Sequence, residues 1–156
     1  MKGKSAVIDA LQKALAEELM AISQYFLHAE MQSNWGYKRL YGEIKKQAIG
    51  EMKHAEVLIE RIIFLEGIPN LNDFPKLKVG KNVQQQLQND LSLEKDAVEE
   101  YNKYIALARK EGDNASADLF EVLLKDEEEH VDFLEAQLDL IDQVGLQNYL
   151  SQQMNG

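Results

Sequence analysis

Residues 48–69 read AIGEMKHAEVLIERIIFLEGIP, and the fold is decided there. Ala48, Ala55, Leu58, Ile62 and Leu65 recur at three- and four-residue steps, the period of one face of an α-helix. Glu51 stands on that same face, between Ala48 and Ala55, where a core residue belongs. His54 follows three residues later, and side chains three apart on a helix are neighbours, so a carboxylate and an imidazole point inward together. Gly67-Ile68-Pro69 then stops the helix.

Upstream, Leu40 and Ile44 carry the stripe back to about Tyr37, behind a short break at Asn34-Trp35-Gly36. Before the break, Val7, Leu11, Leu15, Ile22, Tyr25 and Ala29 predict a helix from Ser5 to about Gln32. Downstream, Pro69 to Gly80 holds both prolines of the chain and no helical period, so it is a connection. Val83, Leu87, Leu91, Val98, Tyr101, Ile105 and Ala108 predict a third helix from about Asn82 to Glu111, ended by Gly112. Leu119, Leu123, Leu134, Leu138 and Ile141 predict a fourth, from about Asn114 to Val144. Gly145 breaks it, and Leu146 to Gln153 form a short fifth helix whose Leu146, Tyr149 and Leu150 need apolar contact.

Helices of this size run to about 45 Å. Two short connections flanking one long crossover predict an all-α, ferritin-like four-helix bundle. The expectation is one domain over residues 1–156, with the bundle at about 5–144 and the fifth helix at about 146–153.

Each of the four stripes carries one such glutamate. Glu18 sits among Leu11, Leu15 and Ile22, Glu94 between Leu91 and Val98, and Glu127 between Leu123 and Val131. The spacing from Glu18 to Glu51 is 33 residues, and so is that from Glu94 to Glu127. The pair Glu51/His54 returns as Glu127/His130, so each half of the chain supplies one lone glutamate and one Glu-x-x-His. A buried, unpaired carboxylate costs several kcal/mol or takes up a proton, and four of them at one level of a bundle call for cations. Four carboxylates and two neutral imidazoles balance two divalent ions. Mixed oxygen and nitrogen donors suit iron or manganese better than calcium or magnesium. Glu18, Glu51, His54, Glu94, Glu127 and His130 therefore predict a two-metal centre.

Tyr25, seven residues after Glu18 on the same face, either packs in the core or hydrogen-bonds a ligand carboxylate and lends an electron. His28 has no partner at helical spacing and reads as an ordinary helix or interface histidine.

Composition narrows the partners. The 156 residues carry 27 acidic against 17 basic side chains, a formal charge of −10 that repels nucleic acid and anionic bilayers and favours cations. Without cysteine there is no disulfide, thiolate zinc site, cysteine-ligated cluster or cysteine nucleophile. The first residues alternate polar and apolar at helical spacing without a signal-peptide core, and no run is long enough to span a membrane, so a cytoplasmic protein is expected.

Beyond the six candidate ligands, the stretches Gln24-Tyr25-Phe26-Leu27-His28-Ala29, Glu51-Met52-Lys53-His54-Ala55, Phe64-Leu65-Glu66-Gly67 and Gly145-Leu146-Gln147-Asn148-Tyr149-Leu150 closely resemble the bacterioferritins over essentially the whole chain. The resemblance implies a homo-oligomeric shell of 24 subunits built from dimers, storing ferric mineral. It implies that the six residues bind two irons per subunit, with Glu51 and Glu127 bridging, and oxidise Fe²⁺ with O₂ or H₂O₂. Met52 matches the axial ligand of a haem b shared between two subunits, although its spacing alone marks only an interface methionine.

Asn34, Glu66, Asp132 and Asp139 match residues lining shell pores, and Asn148 matches one lining the fourfold channels. A small [2Fe–2S] ferredoxin is the implied reductant for iron release. Lys46 and Gly50 replace a histidine and an aspartate that form an inner-surface iron site in some members with an acid matching Asp126. Leu58 and Phe133 replace a tyrosine and a tryptophan, which leaves Tyr25 as the nearest electron donor. The alternative within the same fold is a di-iron oxidase or peroxidase that stores nothing.

Overall fold

The computed structural model describes residues 1–155; Gly156, the last residue of the expected domain, lies outside them. Four long helices and a short one follow in order: α1 Ser5–Asn34, α2 Lys38–Phe64, α3 Val83–Lys110, α4 Asn114–Val144 and α5 Leu146–Ser151. The short links make α1 with α2, and α3 with α4, into antiparallel hairpins, and these pairs pack most extensively. The fold is the four-helix bundle of the ferritin-like kind, with a crossover of residues 65–82 between the hairpins.

The crossover is pinned along α1. Gln12 donates to the Ile68 carbonyl, Lys78 N–H donates to Gln24 Oε1 at 3.0 Å, and Gly80 N–H donates to His28 Nε2 at 2.9 Å. The contacts progress from Gln12 to His28, so the connection runs the length of α1 and returns the chain to the end from which α3 starts. Asn82 caps α3 by accepting from Gln85 N–H, and Asp113 caps α4 by accepting from Ser116 N–H while Arg61 of α2 holds its carboxylate at 3.0 Å.

Helix ends depart slightly from expectation. α1 runs on to Asn34, placing that residue inside the helix, before Gly36 turns the chain with φ of 93°. α2 is closed by Glu66 in the left-handed region, φ 66°, rather than by Gly67. Gly67 instead serves packing, because a Cβ there would come within 2.9 Å of Ile62. α5 ends at Ser151, short of the expected Gln153, whose carbonyl accepts from Arg39 N–H at 3.0 Å. Tyr149 is buried against the bundle and donates to Gln137.

The apolar core comes in two blocks. One contains Val7, Leu11, Leu15, Leu58, Ile62, Tyr101 and Phe120, and the other Tyr25, Leu40, Ile44, Leu87, Leu134, Ile141 and Tyr149. The polar layer holding Glu18, Glu51, Glu94 and Glu127 separates them in sequence on every long helix. Among the described residues no helix is long and apolar enough to cross a membrane.

Candidate metal centre

Each long helix delivers its glutamate to one level of the bundle. Glu18, Glu51, Glu94 and Glu127 are at most 2% exposed, and His54 is buried with them, while His130 keeps a little exposure. Their donor atoms form two groups, each drawn within 4.8 Å: Glu18, Glu51, His54 and Glu127, and Glu51, Glu94, Glu127 and His130. Glu51 and Glu127 belong to both groups, which puts them between the two ion positions.

The imidazoles present Nδ1 to the carboxylates. His54 Nδ1 lies 3.4 Å from Glu18, 3.5 Å from Glu51 and 2.9 Å from Glu127. His130 Nδ1 lies 3.2 Å from Glu51 and 3.5 Å from both Glu94 and Glu127. The two rings stack with centroids 6.3 Å apart. Despite these approaches, Glu18 Oε2, Glu51 Oε1, His54 Nδ1, Glu94 Oε2, both oxygens of Glu127 and His130 Nδ1 are buried without an aligned hydrogen-bond partner. Buried polar atoms are nearly always paired, so seven converging orphans have the form of a cation site, with the hard oxygen and imidazole donors that iron takes.

Electrostatics agree. Burial, then the charges of Glu18 and Glu94, push Glu51 well above the usual carboxylate range, and burial with the charge of Glu127 does the same to Glu94. Burial would also raise Glu127, but contacts with Glu94, His130 and His54 outweigh it and hold this carboxyl low. Burial would lower both histidines, yet the surrounding carboxylates push His54 up to about 11 and His130 up to about 10. The metal-free centre therefore retains protons that a cation would displace.

Tyr25 donates to Glu94 Oε1 at 2.5 Å. Sequence reasoning missed its counterpart, Tyr101, which donates to Glu18 Oε1 at 2.7 Å. The signal was present, since Tyr101 follows Glu94 by the same seven residues that separate Tyr25 from Glu18. Asp126 also enters, with Oδ2 2.8 Å from His54 Nε2. His28 differs from the expectation of an ordinary helix or interface histidine. It is fully buried, with Nδ1 2.9 Å from Asp90 Oδ1 and Nε2 accepting from Gly80, contacts that no spacing within α1 can reveal.

The remaining candidates lie elsewhere. Met52 is 54% exposed on α2, on the side of the helix that also carries the exposed Ile49 and Ile63. Asn34 and Glu66 stand at opposite ends of the first hairpin, Asp132 and Asp139 lie exposed on α4, and Asn148 is exposed on α5 with its amide on the Val144 carbonyl. One chain does not gather these five. Lys46 is exposed and pairs with Glu43 at 3.3 Å.

Comparison with known proteins extends over nearly the whole chain. The family model described as a ferritin-like domain matches residues 8–144. The chain is 46% identical to the bacterioferritin of Brucella melitensis over 96% of its own length and 92% of that protein's. It is 44% identical to the bacterial ferritin of Synechocystis over 99% of this chain and 100% of the relative. It is also similar to the bacterioferritin of Mycolicibacterium paratuberculosis, at 39% identity over 97% and 96%.

Proposed function

The chain belongs to the bacterioferritins of the ferritin-like family, and from that premise we propose that it oxidises Fe²⁺ and stores the product. The observation that carries this reading is the set of seven orphaned donor atoms shared among Glu18, Glu51, His54, Glu94, Glu127 and His130. Two Fe²⁺ enter as substrate, one to each donor group. Each loses one electron, and the pair reduces H₂O₂ with two protons to two water molecules, or O₂ with two protons to H₂O₂. Pairing the electrons avoids releasing superoxide.

The protein's share is positioning and proton handling. Glu51 and Glu127 bind both ions at once, which fixes their separation, and Tyr25 and Tyr101 hold Glu94 and Glu18 by hydrogen bonds at 2.5 and 2.7 Å. Burial and the adjacent carboxylates raise both phenols well above their ordinary value, so they stay protonated as donors. Loading the ions displaces the protons retained by Glu51, Glu94 and the two histidines. A hollow between α1, α3 and the crossover, lined by Glu17, Asp96, Glu99 and Glu100 together with Lys76 and Lys78, opens onto Glu18 and Glu51, and its excess of carboxylates over ammonium groups favours the approach of a cation.

In the assembled protein, a 24-subunit cytoplasmic cage made of dimers, Asn34, Glu66, Asp132, Asp139 and Asn148 line the pores. The exposed thioether of Met52, on an apolar strip of α2, would hold a haem b shared with a second subunit, which would supply one-electron transfer from a [2Fe–2S] ferredoxin for the release of iron. Repeated additions of Fe²⁺ in air, followed by the iron-to-protein ratio of the largest species on a sizing column, test the reading. Many ions per chain in a particle of about 24 subunits is the expected result. Saturation near two ions per chain in a small oligomer would overturn storage and leave an oxidase or peroxidase.

A further inference from the structure

The halves of the centre repeat at an offset of 76 residues, which carries Glu18 onto Glu94, Tyr25 onto Tyr101, Glu51 onto Glu127 and His54 onto His130. The same offset carries Gly50 onto Asp126, and there the repeat fails. Asp126 Oδ2 sits 2.8 Å from His54 Nε2. Across the pseudo-twofold, a Cβ on Gly50 would lie 4.0 Å from His130 Nε2 with nothing else inside that distance, so Gly50 leaves the equivalent position without a side chain. Among the described residues, no protein group hydrogen-bonds His130 Nε2.

The consequence follows from the chemistry of imidazole. A carboxylate only accepts, so Asp126 holds one proton of His54 on Nε2, and it is the proton on Nδ1, facing Glu18, Glu51 and Glu127, that a cation displaces to reach the lone pair. Asp126 also fixes the ring's orientation and makes the nitrogen more basic toward a metal. His130 has the same carboxylates in front of it and no acceptor behind. The tyrosine bonds to Glu94 and Glu18 are equivalent in the two halves, so they do not create this difference.

We propose that the two ion positions are unequal: the position of Glu18, Glu51, His54 and Glu127 takes its divalent cation first and more tightly, with Asp126 as its positioning residue. The position of Glu51, Glu94, Glu127 and His130 fills second. This rests on the two-metal reading of the centre.

The test is anaerobic calorimetric titration of the metal-free, full-length assembly with Co²⁺ alone, together with anomalous scattering from crystals holding one Co²⁺ per chain. Two binding steps are expected, with the first ion beside His54. Asp126→Ala should weaken the first step by about 10–100-fold, the usual effect of losing such a partner, and leave the second unchanged. Asp126→Asn, which keeps an acceptor, should restore most of the loss.

Gly50→Asp is the reciprocal change. It places a carboxylate opposite His130 and should tighten the second step toward the first. Equal steps in the unaltered protein, a first ion beside His130, or equal weakening of both steps by Asp126→Ala would overturn the inference while leaving the two-metal centre intact. Failure of Co²⁺ to occupy either position would overturn the centre itself.

Discussion

Two buried polar clusters lie one turn apart on α3, one around Asp90 and one around Glu94. Asp90 Oδ1 accepts from Gln24 at 2.9 Å and pairs with His28 Nδ1 at 2.9 Å. Gln24 Oε1 and His28 Nε2 then accept from Lys78 and Gly80 of the crossover. Apart from Asp90 Oδ2, that triad finds its partners within the chain. Similar chemistry supplied by four helices at the Glu94 level ends instead in seven orphaned atoms. Burial of charge is common to both, so burial alone does not mark a site. What separates a structural network from a binding centre is whether the protein completes its own hydrogen bonds.

Matched isosteric substitutions set the two clusters against each other. Glu51→Gln removes charge from a residue common to both ion positions, and stopped-flow absorbance should show rapid Fe²⁺ oxidation falling by more than about 100-fold, since even outer partners are worth about 10–100-fold. The metal-free variant should melt at or above the parent temperature, because Glu51 is pushed toward its neutral form already. Asp90→Asn makes the same chemical change in the satisfied cluster. It should lose about 1.5–3 kcal/mol in urea unfolding and keep the oxidation burst. If Glu51→Gln destabilised the metal-free protein as much as Asp90→Asn does, the distinction would collapse.

Acidity sharpens the contrast further. His54 and His130 are raised to about 11 and 10 in the folded, metal-free chain, so their contribution to stability is full below the unfolded imidazole value and is lost as pH rises through 10 and 11. Glu51 and Glu94 are raised as well, which adds loss in the same direction once pH exceeds the unfolded carboxylate value. Melting temperature should therefore decline from neutral to alkaline pH without metal. Co²⁺ replaces the protons, so loaded protein should show a flatter profile and should release protons on loading in weakly buffered solution. An unchanged alkaline slope after loading would contradict the displacement.

The smallest effect concerns the tyrosines. Tyr25→Phe and Tyr101→Phe should each cost about 1 kcal/mol, a typical single hydrogen bond, and slow oxidation to a similar degree. A large effect from Tyr25→Phe alone would give that residue an electron-transfer role its twin lacks.

The bundle and the six candidate donors were legible because helical period is a local property. A glutamate in a stripe of leucines shows its direction without any knowledge of the neighbouring helix, and the repeated 33-residue spacing aligned the four. His28 was misread because its partners come from α3 and the crossover. Tyr101 was legible in principle, by the repeat, but an apolar-looking stripe absorbed it. The contact of Asp126 with His54 joins α4 to α2 across the bundle, and no spacing on either helix encodes it. The closure of α2 fell on Glu66, a left-handed residue that is not glycine and so gives no stop signal in the sequence.

The division of donors between hairpins has a mechanical side. One position takes Glu18, Glu51 and His54 from the first hairpin and Glu127 from the second, and the other takes Glu94, Glu127 and His130 from the second and Glu51 from the first. Every ion is thus tied to both hairpins, which the chain itself joins only through the crossover. On the proposed reading a loaded centre would work as a pair of reversible rivets: bound ions would keep the hairpins from sliding or parting, and each departing ion would release the seam it had closed.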